Sequence, residues 1–111
     1  MSREIDFSPY SLGDIELQAT WYCQQQDEEL ARRYAREVER TVAFLADYPN
    51  VGTPCRFKEE EFRGLRYYLL ARPFQAHLVY YRADDKVVSV FRVISGFRDL
   101  PRRLREPPGA D

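Results

Sequence analysis

The stretch KVVSVFRVIS, residues 86–95, limits the fold more than any other part of this 111-residue chain. Strict alternation puts Val87, Ser89, Phe91 and Val93 on one face and Val88, Val90, Arg92 and Ile94 on the other. Both faces are apolar and rich in β-branched side chains. A strand of that kind loses its driving force unless it is covered on both sides, so 86–95 is expected to be central in a sheet. Arg92 is the exception. On the Val88/Ile94 face it is half-buried, and a guanidinium there needs an acid, either Asp99 or one brought from elsewhere. Gly96 then ends the strand.

Around this strand the pattern predicts two helices and three further strands. REIDFS (3–8) alternates weakly and reads as a short first strand. Ser8 can cap a helix and Pro9 fits its first turn, where a missing N–H costs nothing. That helix runs from about Pro9 to Gln25. Leu12, Ile15, Ala19, Tyr22 and Gln26 lie on its expected core face, Leu17 and Trp21 lie on a neighbouring stripe, and Gly13 is a local weakness. Asp27 is the expected cap of a second helix, with Glu28 and Glu29 in the first turn. Leu30, Tyr34, Val38, Thr41, Val42 and Leu45 keep the helical period, while Arg32, Arg33, Arg36, Glu37, Glu39 and Arg40 fill the other side. The short link makes the pair an antiparallel hairpin. DYPNVGTPCRF (47–57) breaks the helix, and KEEE (58–61) reads as solvated loop or one helical turn. GLRYYLLAR (64–72) and AHLVYYR (76–82) are strands, and ADD (83–85) is the turn into the central strand. The order βααβββ predicts an α+β fold: an antiparallel helix hairpin on a mostly antiparallel four-stranded sheet, then a short C-terminal turn or helix. One domain is expected over residues 1–105, with a disordered tail at 106–111.

Composition excludes several classes. A hydrophobic fraction of 44% is that of a globular chain, and no apolar run approaches the length of a membrane span. The polar N-terminus lacks the layout of a signal peptide, so a cytoplasmic protein is expected. One histidine and two cysteines cannot build a zinc site, and neither a metal nor a cofactor is expected. Cys23 and Cys55 read as reduced thiols packed as small hydrophobes. The net charge of −1 hides an asymmetry. Residues 1–55 hold 5 basic and 10 acidic side chains, and residues 56–111 hold 12 basic and 8 acidic. The basic excess is nearly all arginine, which suits an anionic partner as well as a solvated strand face.

Five segments, in order, resemble the RelE/ParE superfamily of toxins from type II toxin–antitoxin systems. They are FSP…DI at the first strand–helix junction, FLADYPNVGTP, FRGLRYYLL, HLVYYR and VFRVISGFRDL, spanning roughly residues 5–104. The resemblance implies a toxin silenced by a cognate antitoxin that wraps it, with higher-order toxin–antitoxin assembly open. RelE-type members cut mRNA in the ribosome. Metal-free RNA cleavage needs a base, cations on the phosphate and an acid. The RelE-type lysines are missing from YYLLAR, His77 stands where an arginine is expected, and Arg98 matches the arginine after the last strand. The chain is therefore more similar to the ParE branch, which implies inhibition of DNA gyrase by protein–protein contact. The alternative is a ribosome-dependent mRNA endonuclease using Arg98 with His77. On the gyrase reading Arg72, Arg82 and Arg98 contact the target, gathered with Arg92 in a cationic patch at one end of the sheet. Leu17 and Trp21 either contact the antitoxin or pack on the sheet. Gly64, Arg92, Gly96 and Asp99 are expected to be structural.

Overall fold

A short N-terminal strand leads into the helix hairpin, and the hairpin lies across one face of a sheet. The structure is a computed structural model, and it describes residues 2–97 and 99–110. The elements are β1 (Glu4–Phe7), α1 (Pro9–Gln24), α2 (Glu28–Asp47), β2 (Thr53–Pro54), a 3₁₀ turn (Glu60–Phe62), β3 (Arg66–Leu69), β4 (His77–Ala83), β5 (Val87–Ser95) and α3 (Arg102–Arg105). The sheet order is β1-β5-β4-β3-β2, with β1 parallel to β5 and the other pairs antiparallel. The α+β class and the central strand are as expected. The sheet has five strands rather than four because Thr53 and Pro54 pair with Tyr67 and Arg66. Two residues show no periodicity. Their pairing comes from tertiary bonds, among them Arg66 Nη1 donating to the Gly52 carbonyl at 2.7 Å.

Both helix starts follow from their caps. The Ser8 hydroxyl accepts from the Ser11 amide at 3.0 Å and donates to the Phe91 carbonyl at 2.7 Å, so one side chain starts α1 and ties it to β5. Asp27 accepts from the Leu30 amide at 2.9 Å. β3 is shorter than predicted. Gly64 turns the chain into it at φ +78°, and Leu70 leaves the strand for the core.

The strict alternation along β5 does not hold. A bulge opposite Tyr80/Tyr81 leaves Phe91 as the extra residue. Val88, Val90 and Val93 therefore all join the helix-side core, with Tyr34, Val38, Val42, Leu45, Val79 and Tyr81. Phe91 and Ile94 join a second cluster on the opposite face, around Phe62, Leu65, Leu78, Tyr80 and Leu104. That face is closed by the 55–65 segment and α3.

The inward face of α1 also differs. Ser11, Asp14 and Tyr22 are buried, with Ile15 and Ala19 half-buried, while Leu12 is 53% exposed and Gln26 faces solvent. Hydrophobicity cannot locate a face whose central residue is a carboxylate. Gly13, a weakness by propensity, has a packing reason: a Cβ there would stand 2.6 Å from Pro108. Of the tail expected to be disordered at 106–111, residues 106–110 turn back against α1 at this glycine, and residue 111 lies outside the described residues. The Ala110 amide donates to the Pro107 carbonyl at 3.1 Å. Cys55 packs beside the second cluster, but Cys23 is exposed rather than packed.

In the 47–57 break, the Tyr81 hydroxyl donates to the Pro49 carbonyl (2.7 Å) and accepts from the Gly52 amide (2.9 Å). A Cβ at Gly52 would lie 2.3 Å from that oxygen, so glycine is required by the approach of the ring.

Candidate functional site

β1 pairs with β5 only as far as Val90, so the edge of β5 from Arg92 onward has no strand beside it. α1 and α3 cover it instead, and Asp14 and Arg92 join the three. Arg92 Nε donates to Asp14 Oδ2 at 2.8 Å and Nη2 to Oδ1 at 2.7 Å, a two-pronged pair with side chains 3% and 4% exposed. Asp14 Oδ2 also accepts the Val93 amide at 3.0 Å, satisfying the open strand edge. Arg92 Nη1 donates to the carbonyls of Arg103 (2.9 Å), Leu104 (3.2 Å) and Glu106 (2.5 Å), which fastens the C-terminal turn. The acid for Arg92 thus comes from elsewhere. Asp99 lies on the surface, at φ +61° and 3.3 Å from Arg102.

A cleft of about 320 Å³ opens beside this pair, between α1, the ends of β4 and β5, and the C-terminal turn. Leu17, Gln18, His77 and Arg103 line it above Asp14 and Arg92. Arg103 Nη1 donates to the Ser95 carbonyl at 2.7 Å. His77 begins β4, with its ring edge-on to Tyr34 at 5.7 Å between centroids. Burial lowers its pKa below the ordinary 6.5, so near neutral pH its imidazole is uncharged and can accept a proton. Arg92 cannot serve a phosphate in this cleft, because all three of its nitrogens are engaged.

The expected cationic patch is divided. Arg72 lies in the β3–β4 turn and faces α2. Arg82 is near the far end of β4, about 17 Å along the strand from His77 by strand rise. It donates to the Glu61 carbonyl at 2.8 Å and lies over the Phe91 ring. Arg92 is internal, and Arg98 lies outside the described residues. Gly64 and Gly96 both hold positive φ, +78° and +75°. Leu17 and Trp21 stand on the outside of α1, 51% and 52% exposed. Among the described residues no cluster of His, Cys, Asp and Glu could hold a metal ion, and no helix is long and apolar enough to cross a membrane.

Two residues escaped the sequence reading. Asp14 shares its face with Ser11, Ile15 and Tyr22, and a lone acid there is the signal that could have been matched to the lone arginine of the central strand. By the helical pattern Glu37 belongs to the charged side of α2, away from its apolar stripe. Its carboxylate instead accepts from Arg40 (2.9 and 2.7 Å), Thr41 (2.9 Å) and the Ala71 amide (2.8 Å), pinning the β3–β4 turn to the helix.

A family model described as the ParE toxin of the type II toxin–antitoxin system, parDE, matches residues 5–100. The fold is similar to a chain of the chromosomal ParDE system of P. aeruginosa, with a TM-score of 0.69 and 15% identity over 86% of this chain and 98% of that one. It is similar to a chain of the RelBE2 toxin–antitoxin complex of Mycobacterium tuberculosis (0.58, 21%, covering 86% and 100%). A chain of the E. coli DinJ–YafQ toxin–antitoxin complex also matches (0.57, 13%, covering 86% and 93%). A comparison with the curated proteins gives no significant match.

Proposed function

The chain belongs to the ParE toxin family of type II toxin–antitoxin systems, and from that membership we propose that it inhibits DNA gyrase by protein–protein contact. Beside the family match, the support for this reading is that the arginines of β4 and β5 do not gather around His77. His77 packs on Tyr34, Arg92 is consumed by Asp14 and three carbonyls, and Arg82 lies at the far end of β4. RNA cleavage needs a base and its cations around one phosphate. Binding to a protein target needs only an exposed surface. Purified chain at micromolar concentration should stop supercoiling by gyrase or trap gyrase on cleaved DNA. Unimpaired supercoiling without cleaved complex would rule the reading out.

The same membership supports a cognate antitoxin as partner, since the structural neighbours come from toxin–antitoxin complexes. The exposed Leu17 and Trp21 on α1 are its proposed contacts. Substituting both with serine should weaken antitoxin binding without unfolding the chain. Unchanged affinity would remove them from the interface.

One observation favours a second reading. The uncharged His77 lines the cleft beside Arg103, so a base and a cation do share one concavity. If the chain is a ribosome-dependent endonuclease, toeprinting on translating ribosomes will show new cleavage sites that disappear in His77→Ala and Arg98→Ala.

A further inference from the structure

A second concavity shares no residue with the cleft at His77. It is a groove of about 430 Å³ between α2 and the β3–β4 turn, lined by Arg33, Arg36, Glu37, Arg40, Arg72 and Phe74. Four guanidiniums therefore meet one carboxylate. That carboxylate is already committed: Glu37 takes hydrogen bonds from Arg40, Thr41 and the Ala71 amide. By holding Ala71, Glu37 fixes the backbone of the turn that carries Arg72 opposite the helix, so both walls of the groove start from set positions. Arg36 has only a long contact to Glu29, at 3.4 Å. Arg33 and Arg72 make no ion pair among the described residues.

We propose that this groove binds an acidic segment of a partner protein. Arg33, Arg36 and Arg40 follow one another at about 4.5 and 6 Å along the helix axis, with Arg33 and Arg36 open to a ligand and Arg40, held by Glu37 through Nε and Nη2, offering only Nη1. That is the spacing of carboxylates three and four residues apart on a helix laid alongside. Arg72 closes the other wall, and guanidiniums pair with carboxylates in a two-pronged geometry. A nucleic acid would meet the same arginines, but it is long and uniformly charged. It would extend past the groove onto Glu28, Glu29 and Glu39 of the same helix, in a chain whose isoelectric point is about 5.9. Nucleic-acid surfaces are usually basic well beyond one groove. A short acidic segment ends before it meets those repulsive charges.

The proposal rests on the groove; it shares Arg72 with the gyrase reading, but its test uses no gyrase, so either can fail without the other. The test is fluorescence anisotropy with the purified chain and two probes: a labelled short helical peptide carrying glutamates every three to four residues, and a labelled oligonucleotide, single-stranded and duplex. The peptide should bind with salt-dependent affinity, and Arg33→Glu or Arg72→Glu should each weaken it about tenfold or more. Arg63→Glu, which alters a charge outside the groove, should leave it unchanged. Thermal melting of each variant checks that the fold survives, which is expected because neither Arg33 nor Arg72 holds another described residue through an ion pair. Three results would overturn the proposal: no peptide binding at micromolar chain, peptide binding indifferent to these substitutions, or oligonucleotide binding that is tighter and lost in the same variants.

Discussion

Replacing Asp14 with alanine should be among the most damaging single changes in this protein. The substitution leaves the charge of Arg92 and the amide of Val93 buried without their partner, at side chains only 3% and 4% exposed in the parent. Removing one member of a buried pair costs about 3–5 kcal/mol. A domain of this size has roughly 5–15 kcal/mol in total, so a large part of its stability is at stake. With a urea slope of about 1–3 kcal/mol/M, the midpoint should fall by on the order of 2 M. Asp14→Asn should cost nearly as much, because an amide N–H would face the N–H groups of Arg92. The informative comparison is the double variant Asp14→Leu with Arg92→Met, which removes both charges and should recover much of the loss. Recovery should stop short of the parent, since the carbonyls of Arg103, Leu104 and Glu106 lose the donor that holds α3. Urea unfolding followed by far-UV circular dichroism measures all of these. A cost under about 1 kcal/mol for Asp14→Ala, or a double variant no more stable than the single one, would refute the buried-pair reasoning. The comparison still decides if Asp14→Ala fails to fold, because the double variant must then fold better.

Gly52→Ala should cost about 2–3 kcal/mol, because its Cβ would lie 2.3 Å from the hydroxyl of a fully buried Tyr81. Thermal melting should show that cost reduced, though not abolished, in a Tyr81→Phe background, where the nearest atom is gone. Ser8→Ala should lose about 1–2 kcal/mol, as it removes the α1 cap and the bond to Phe91 together; a change within error in the urea midpoint would deny the cap its role. At Glu37 burial pushes the carboxyl pKa up, but the hydrogen bonds from Arg40, Ala71 and Thr41 outweigh it and hold the value below the ordinary 4.5. Its stabilisation is therefore fully present above pH 4.5 and is lost as pH falls through the folded value. Glu37→Gln should flatten that part of the acid limb in urea midpoints measured between about pH 6 and pH 3, and an unchanged limb would contradict the assignment.

The elements that follow from local chemistry were legible in the chain. Ser8-Pro9 and Asp27 start helices through their own side chains, and residues 28–47 carry an unbroken helical period. The doubly apolar run at 86–95 demanded a central strand, and β5 is flanked by β1 and β4. The family was legible for the same reason: its segments follow the order of these elements. The candidate site was far less so. His77, Leu17 and Arg92 come together only because α1 lies along the open end of β5, and Arg72 and Arg82 separate because β4 holds its full length between them.

By itself, then, the order of residues determined what can be read over a few neighbouring positions: capping, periodicity and the need of a buried strand for cover on both faces. Only the tertiary structure decided which acid meets Arg92, which face of α1 turns inward, where β5 bulges and why Gly13 and Gly52 are glycines. Asp14 lies 78 residues from Arg92, and Tyr81 lies 29 from Gly52. The energy of such a contact exists only once the chain has closed the loop between its partners, so no local pattern announces it.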